Sequence, residues 1–369
     1  MVRSSSRAAF MVAGLGLGRG LVLPRSAQAP WRSSARPAHG SQALVDPADV
    51  ATTPKDLLDD SRAAHEATLP PPWKRTIAKD SDSPLLYGDF YKWQLELLQS
   101  SALEATPLEL RGDLALQVNE KKGARVGSAC FESPLFRKVR MTYFDAGAGV
   151  QVFNSLWYPR FERDAPVLGI DLLCFGGTKV LAVVDCQPLG GRDELRSQAK
   201  VDGWAEEGEA NPNPFKRIRD QYPSLCGTMS NRYYDANQFF SDAMLFGRFE
   251  APGQAALERG EPHPIDTDLF PAFKEYVCAY VDLVANTLAD PSSASRVQER
   301  QRAYDQYSAD RDPAHALFKG YFGAQWADSL MHELLFDLSD PELTRLAHEE
   351  MTRAQKEAAK VGGGGNPFA

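Results

Sequence analysis

The chain has 369 residues, 43% of them hydrophobic and 10% aromatic, which is enough for one large domain or two ordinary ones around a real core. A formal charge of −8 argues against sequence-independent nucleic-acid binding, and no apolar run approaches the length of a membrane span. Five scattered cysteines without a C-x-x-C, and without a nearby histidine, indicate neither a disulfide framework nor a metal site.

In chain order, residues 1–45 carry six arginines and no acidic residue before Asp46, the composition of an organelle targeting peptide. AAFMVAGLGLGRGLVL, followed by Ala27-Gln28-Ala29, also has the form of a secretory h-region with a small-residue cleavage site. A signal followed by a transit peptide suits a plastid bounded by extra membranes, and ordinary import into plastid or mitochondrion fits equally. Without those arginines the formal charge falls from −8 to −14. Residues 46–82 are polar and Pro-rich and read as a linker or arm.

A catalytic domain is expected over 83–345. Its first helix is predicted over 87–105, in YGDFYKWQLELLQSSALEA. Strand-like segments follow: LALQV, ARVGSACFES, FRKVRMTYFDA, GVQVFNSLWYP, VLGIDLLCF and TKVLAVVDCQ. The connections between them are too short for crossover helices, so the strands form an antiparallel meander. From about residue 190 the spacing turns helical, in YYDANQFFSDAMLF, PAFKEYVCAYVDLVANTL and PAHALFKGYFGAQWADSLMHELLFDL. Strands followed by helices predict an α+β fold. Residues 346–369 read as a helical end and a Gly-rich tail.

One strand breaks its own pattern. VLGIDLLCF sets a carboxylate, Asp171, in an apolar run, where an ionised group must find a partner or take up a proton. Phe175-Gly176-Gly177-Thr178 reads as a two-residue hairpin, which would place Leu173 opposite Val180 and Asp171 opposite Ala182. Gly169 and Ala182 then leave space above the carboxylate. A flat ligand could fill it; so could a helix, with Asp171 paired to a buried arginine such as Arg140. A second acid, Asp312, precedes Pro313 at a helix start, ordinarily an N-cap.

FRKVRMTYFDAG, QVFNSLWYP, PVLGIDLLCFGGTKVLAVVDCQPL, FFSDAMLFGRF and DPAHALFKGYFGAQWADSLMHELLFDL resemble, in order and spacing, the ferredoxin-dependent bilin reductases. The likeness runs over about residues 84–340. It implies a three-layer α/β/α sandwich around a central antiparallel sheet, with an open-chain tetrapyrrole held between sheet and C-terminal helices. It implies electrons from reduced [2Fe-2S] ferredoxin, one at a time, and no bound flavin, nicotinamide or metal. It also implies proton donation by Asp171, which matches the family's sheet aspartate, and by Asp312 on the helical side. The pattern is most similar to the phycoerythrobilin-forming branch, which reduces 15,16-dihydrobiliverdin at its A ring.

Two positions separate the branches: Asn154 and Thr142 stand where the phycocyanobilin-forming enzyme has His and Glu. Relatives often carry Arg four residues before the second aspartate; here that residue is Ser308, with Arg311 close by. Asn154, Thr142, Ala182, Ser308, Arg311 and Leu317 are therefore the expected substrate contacts. Arg137, Lys138 and Arg140 form a basic cluster expected to dock acidic ferredoxin or else to be a solvated strand face, with Lys216, Arg217 and Arg219 as weaker candidates. A preceding bilin reductase is a further expected partner, for substrate channelling. Other readings are a four-electron synthase or phytochromobilin-type enzyme acting on biliverdin, and a non-catalytic bilin carrier.

Overall fold

The computed structural model describes residues 85–190, 213–229, 234–235 and 237–361. The targeting segment, the Pro-rich arm and the Gly-rich tail expected above lie outside them. In chain order the main elements are α1 (Gly88–Gln99), β1 (Thr106–Leu108), α2 (Gly112–Ala115), β2 (Leu116–Asn119), β3 (Ala124–Glu132), β4 (Phe136–Asp145), β5 (Val150–Pro159), β6 (Val167–Phe175) and β7 (Lys179–Gln187). Then follow α3 (Pro214–Gln221), β8 (Leu245–Glu250), α4 (Gln254–Glu258), α5 (Phe270–Asn286), α6 (Ala294–Arg311), α7 (Ala314–Phe322), α8 (Ala324–Ser329) and α9 (Pro341–Val361).

The strands form one antiparallel sheet in the order β1-β3-β4-β5-β6-β7-β8, with β2 also on β3. Helices cover both faces, as an α+β sandwich requires. One face packs against α1, α3 and α5. There Phe90, Trp93 and Phe273 meet at ring spacings of 5.1 and 5.5 Å, and Gln94 donates to Ser155 at 2.7 Å. The other face meets α6, α7, α8 and the π-helical turn Leu330–Leu335, through contacts such as Phe144–Phe318 at 5.4 Å. Among the described residues no helix is long and apolar enough to cross a membrane.

Strand β1 and helix α3 lie outside the expected elements, the first helix ends at Gln99, and three further departures shape the site. The described part of YYDANQFFSDAMLF is not a helix, and its last two residues open β8 on the edge of β7. Gly247 permits that pairing, since a Cβ there would lie 2.6 Å from the Phe249 ring. Helix α6 was not foreseen, because charged residues surround its few apolar ones, Val297, Tyr304, Tyr307 and Ala309. Finally, Phe175 pairs with Lys179, so three residues close the β6–β7 loop, with Gly176 and Gly177 at φ of 61° and 67°. That single extra residue shifts the register by one and exchanges the faces of β7. Asp171 stands opposite Val183, and Ala182 points into the α1–α5 core, fully buried. Ala182 therefore lines no site on the Asp171 face.

Candidate active site

Register builds the site. Ser128, Thr142, Asn154, Asp171 and Val183 occupy one row across β3, β4, β5, β6 and β7, and directly opposed residues share a face. Four polar side chains thus stand side by side on the face beneath α6 and α7. Ser128 and Thr142 share a hydroxyl hydrogen bond of 2.9 Å. Arg140, two residues along β4, donates to Thr142 Oγ1 at 3.1 Å and to Asn154 Oδ1 at 2.5 Å. Asn154 Nδ2 then donates to Asp171 Oδ1 at 3.0 Å. Asp171 is half-buried, while its neighbours Ile170 and Leu172 lie in the opposite core.

Burial raises the Asp171 carboxyl to about 7, helped by the charge of Asp312 and opposed by the Asn154 amide and by Arg140. Such a group holds its proton near neutral pH and can surrender it there.

Asp312 closes α6, its N–H donating to Ser308 O at 2.9 Å, while its Oδ1 accepts from Ala314 N at 2.8 Å. Asp312 is thus the C-cap of α6 and Pro313 the N-cap of α7, one residue later than an Asp-Pro pair predicts. Burial also pushes this carboxyl up, against the Ala314 N–H and the charges of Arg140 and His315. The two aspartates come from opposite layers, and each feels the charge of Arg140.

Aromatic groups complete the helical side. Phe239, buried and held at φ 60°, sets its ring 5.5 Å from Tyr304 and 5.1 Å from Tyr307. A left-handed backbone at a bulky residue is strained and is commonly kept where it shapes a site. Tyr234 packs against Phe240 and Tyr307, and its phenol is raised far above its usual range by burial, then by Asp312 and Asp171. Tyr304 donates to Gln187 Oε1, whose carboxamide occupies the space Gly169 leaves open.

The structure brings Thr142, Asn154 and Asp171 together and sets Asp312 within their electrostatic reach. Leu317 lies half-buried against the α6–α8 cluster, and Ser308 is buried on α6. Arg311 is exposed, its guanidinium 4.1 Å over the Tyr307 ring. Ser128, Gln187, Tyr234 and Tyr304 went unnoticed in the sequence. Strand alternation marks Ser128, but only the register and the folded helices reveal the others.

The expected docking cluster is corrected. A bulge between Phe136 and Lys138 turns Arg137 and Lys138 the same way, and both bind Asp337, at 3.0 and 2.7 Å. Lys138 is buried and also donates to Leu334 O, while Arg137 lies over the Tyr158 ring. Arg140 is wholly buried in the polar row. These three cations fasten the C-terminal helices to the sheet or serve the site, and they offer no basic surface. Lys216 and Arg217 are exposed on α3, whereas Arg219 donates to Asp242 O.

The family model for ferredoxin-dependent bilin reductases matches residues 95–337. The chain belongs to this family. This bilin reductase is 36% identical over 258 residues to 15,16-dihydrobiliverdin:ferredoxin oxidoreductase of Nostoc punctiforme, covering 68% of this chain and 96% of that one. With the enzyme of the same name from Gloeobacter violaceus it shares 35% over 260 residues, covering 69% and 97%. Among solved structures, phytochromobilin synthase from tomato, in complex with biliverdin, superposes with a TM-score of 0.54 at 19% identity, covering 68% of this chain and 83% of that one. That likeness bears on the fold alone. As a member of the family, the chain is an oxidoreductase that takes its electrons from ferredoxin and acts on a bilin.

Proposed function

We propose that this bilin reductase converts 15,16-dihydrobiliverdin to (3Z)-phycoerythrobilin, with Asp171 and Asp312 as the two proton donors. The observation that carries the reading is the pair of raised carboxyls, one on the sheet and one at the α6–α7 junction. Reduction of the A-ring diene adds two electrons and two protons. Two reduced ferredoxins each give one electron and leave oxidised, and each acid gives one proton to a bilin radical or its reduced successor. A bilin lying over the polar row keeps water from Asp171, which favours the neutral acid until an electron arrives. Asn154 and Thr142 provide hydrogen bonds where the phycocyanobilin-forming branch has His and Glu, and this supports the phycoerythrobilin assignment.

An anaerobic assay with reduced ferredoxin, offering biliverdin and 15,16-dihydrobiliverdin separately, tests this. Only dihydrobiliverdin is expected to be consumed, with the absorption of phycoerythrobilin growing in. Turnover of biliverdin would assign a four-electron or phytochromobilin-type reaction. Tight bilin binding indifferent to reduced ferredoxin would assign a carrier.

The substrate is itself the product of a two-electron reduction, so direct handover from the reductase that makes it is the proposed supply. A scavenger that binds free dihydrobiliverdin should then fail to intercept it in a coupled reaction. The Arg-rich, acid-free first 45 residues support a plastid destination, tested by following a fluorescent fusion of residues 1–82.

A further inference from the structure

Three cations are buried among the described residues: Arg125, Lys138 and Arg140. Arg125 faces Asp145 at 3.6 Å, and Lys138 meets Asp337 at 2.7 Å. Arg140 is fully buried, yet no carboxylate among the described residues lies within ion-pair distance of it, and its Nε has no hydrogen-bond partner. A buried charge without a counter-ion is costly, so its retention calls for a use.

The bonds Arg140 makes point to that use. A guanidinium can only donate. Asn154 must therefore turn its oxygen to Arg140, which leaves its NH₂ to donate to Asp171 Oδ1. This arrangement favours the ionised form of Asp171. The charged and titratable groups that act on Arg140 are Tyr158, Cys130, Asp312 and Tyr304. Those that act on Asp171 are Asp312 and Arg140, with Tyr234 coupled to both acids and Tyr87 coupled to Asp171.

We propose that Arg140 is a positioning residue that serves as the counter-ion for the first carboxylate made during turnover, so that Asp171 gives its proton first and Asp312 second. The inference rests on the proton-donor reading above. When the first electron reaches the bilin, Asp171 protonates it and becomes a carboxylate, tied through Asn154 to the waiting guanidinium. The net charge of Asp171 and Arg140 is then zero. Asp312 lacks that link and now faces a new negative charge, which holds its proton until the second electron arrives. Two electrons and two protons are thereby delivered in alternation, and both acids are reprotonated from solvent after release.

Single-turnover kinetics of Arg140→Gln and Arg140→Lys, with equimolar bilin and stepwise addition of reduced ferredoxin, test this. In Arg140→Gln the first protonation is expected to slow about tenfold or more, and the falling limb of its pH profile to move up by about one pH unit. Bilin affinity should stay within about twofold of wild type, and Arg140→Lys should restore most of the limb, which a packing role would not do. Asn154→Ala, which keeps the cation but cuts the link, should shift the limb in the same direction by less. Asp171→Asn should stall before the first protonation and Asp312→Asn after it. A pH limb unmoved in Arg140→Gln and Asn154→Ala, or the reverse stalling order, overturns the proposal. Wild-type protein that leaves dihydrobiliverdin unreduced would instead remove the reading beneath it.

Discussion

Asn154 and Asp171 stand directly opposite each other on β5 and β6, and the amide donates to the carboxyl at 3.0 Å. The bond runs in one direction only, because Arg140 claims the amide oxygen. A carboxyl that must accept at Oδ1 carries its proton on the other oxygen. The pair thus opposes the rise that burial imposes on Asp171 and fixes the oxygen from which the proton leaves.

Asp171→Asn is expected to bind bilin, lower turnover at least about 100-fold and stabilise the protein at alkaline pH. Folding raises the Asp171 carboxyl from its ordinary 3.8 to about 7. Between those values the unfolded chain ionises while the folded one keeps its proton. Stability is therefore lost as pH rises through that window and stays lower above it. Thermal melts at pH 5 and pH 8 should show the variant's advantage growing with pH, to on the order of 2 kcal/mol. An advantage independent of pH would contradict the raised acid.

Ala182→Leu tests the register. Ala182 is packed in the α1–α5 core with no exposed surface, so two extra branches overfill it. A loss of about 1–3 kcal/mol in urea unfolding is expected, with the KM for bilin unchanged. A raised KM in a fully stable variant would mean that Ala182 faces the substrate after all.

Lys138→Ala should behave as a structural lesion. Asp337 and the buried Asp305, whose carboxyl burial and Asp337 lift to about 6, would lose a neighbouring cation. The expected cost is about 2–3 kcal/mol, since Asp337 is partly exposed. The KM for ferredoxin should hold in whatever protein remains folded, and a selective rise in that constant would restore a docking role.

Gly169→Ala brings a Cβ to 2.5 Å from Gln187 Oε1, the atom that Tyr304 holds. The carboxamide must move, and α6 loses an anchor to the sheet. About 1–2 kcal/mol of stability and a several-fold weaker bilin affinity are expected, measured by melting and by absorption titration. Gln187→Ala in the same chain should relieve the clash without restoring the anchor, so it recovers part of the stability and none of the affinity.

The five central strands and the first helix are legible in the chain because alternation and short connections are local properties. Asp171 declared itself in the same way, as a polar interruption of an apolar strand. Helix α6 stayed hidden because its buried face is held by tyrosines and polar contacts, such as Tyr158 to Asp305 at 2.7 Å. The edge strand β8 was masked by apolar residues that also fit a helical period.

By itself, then, the sequence determined the central strands, the hairpin between β6 and β7, and the presence of two acids in places that ask for a reason. Tertiary structure decided which residues face those acids. One extra loop residue turned Ala182 away, a bulge carried Arg137 and Lys138 inside, and helices over a hundred residues downstream covered Arg140. Faces follow from short-range alternation, whereas partners follow from register and burial, which depend on chain segments far apart in sequence.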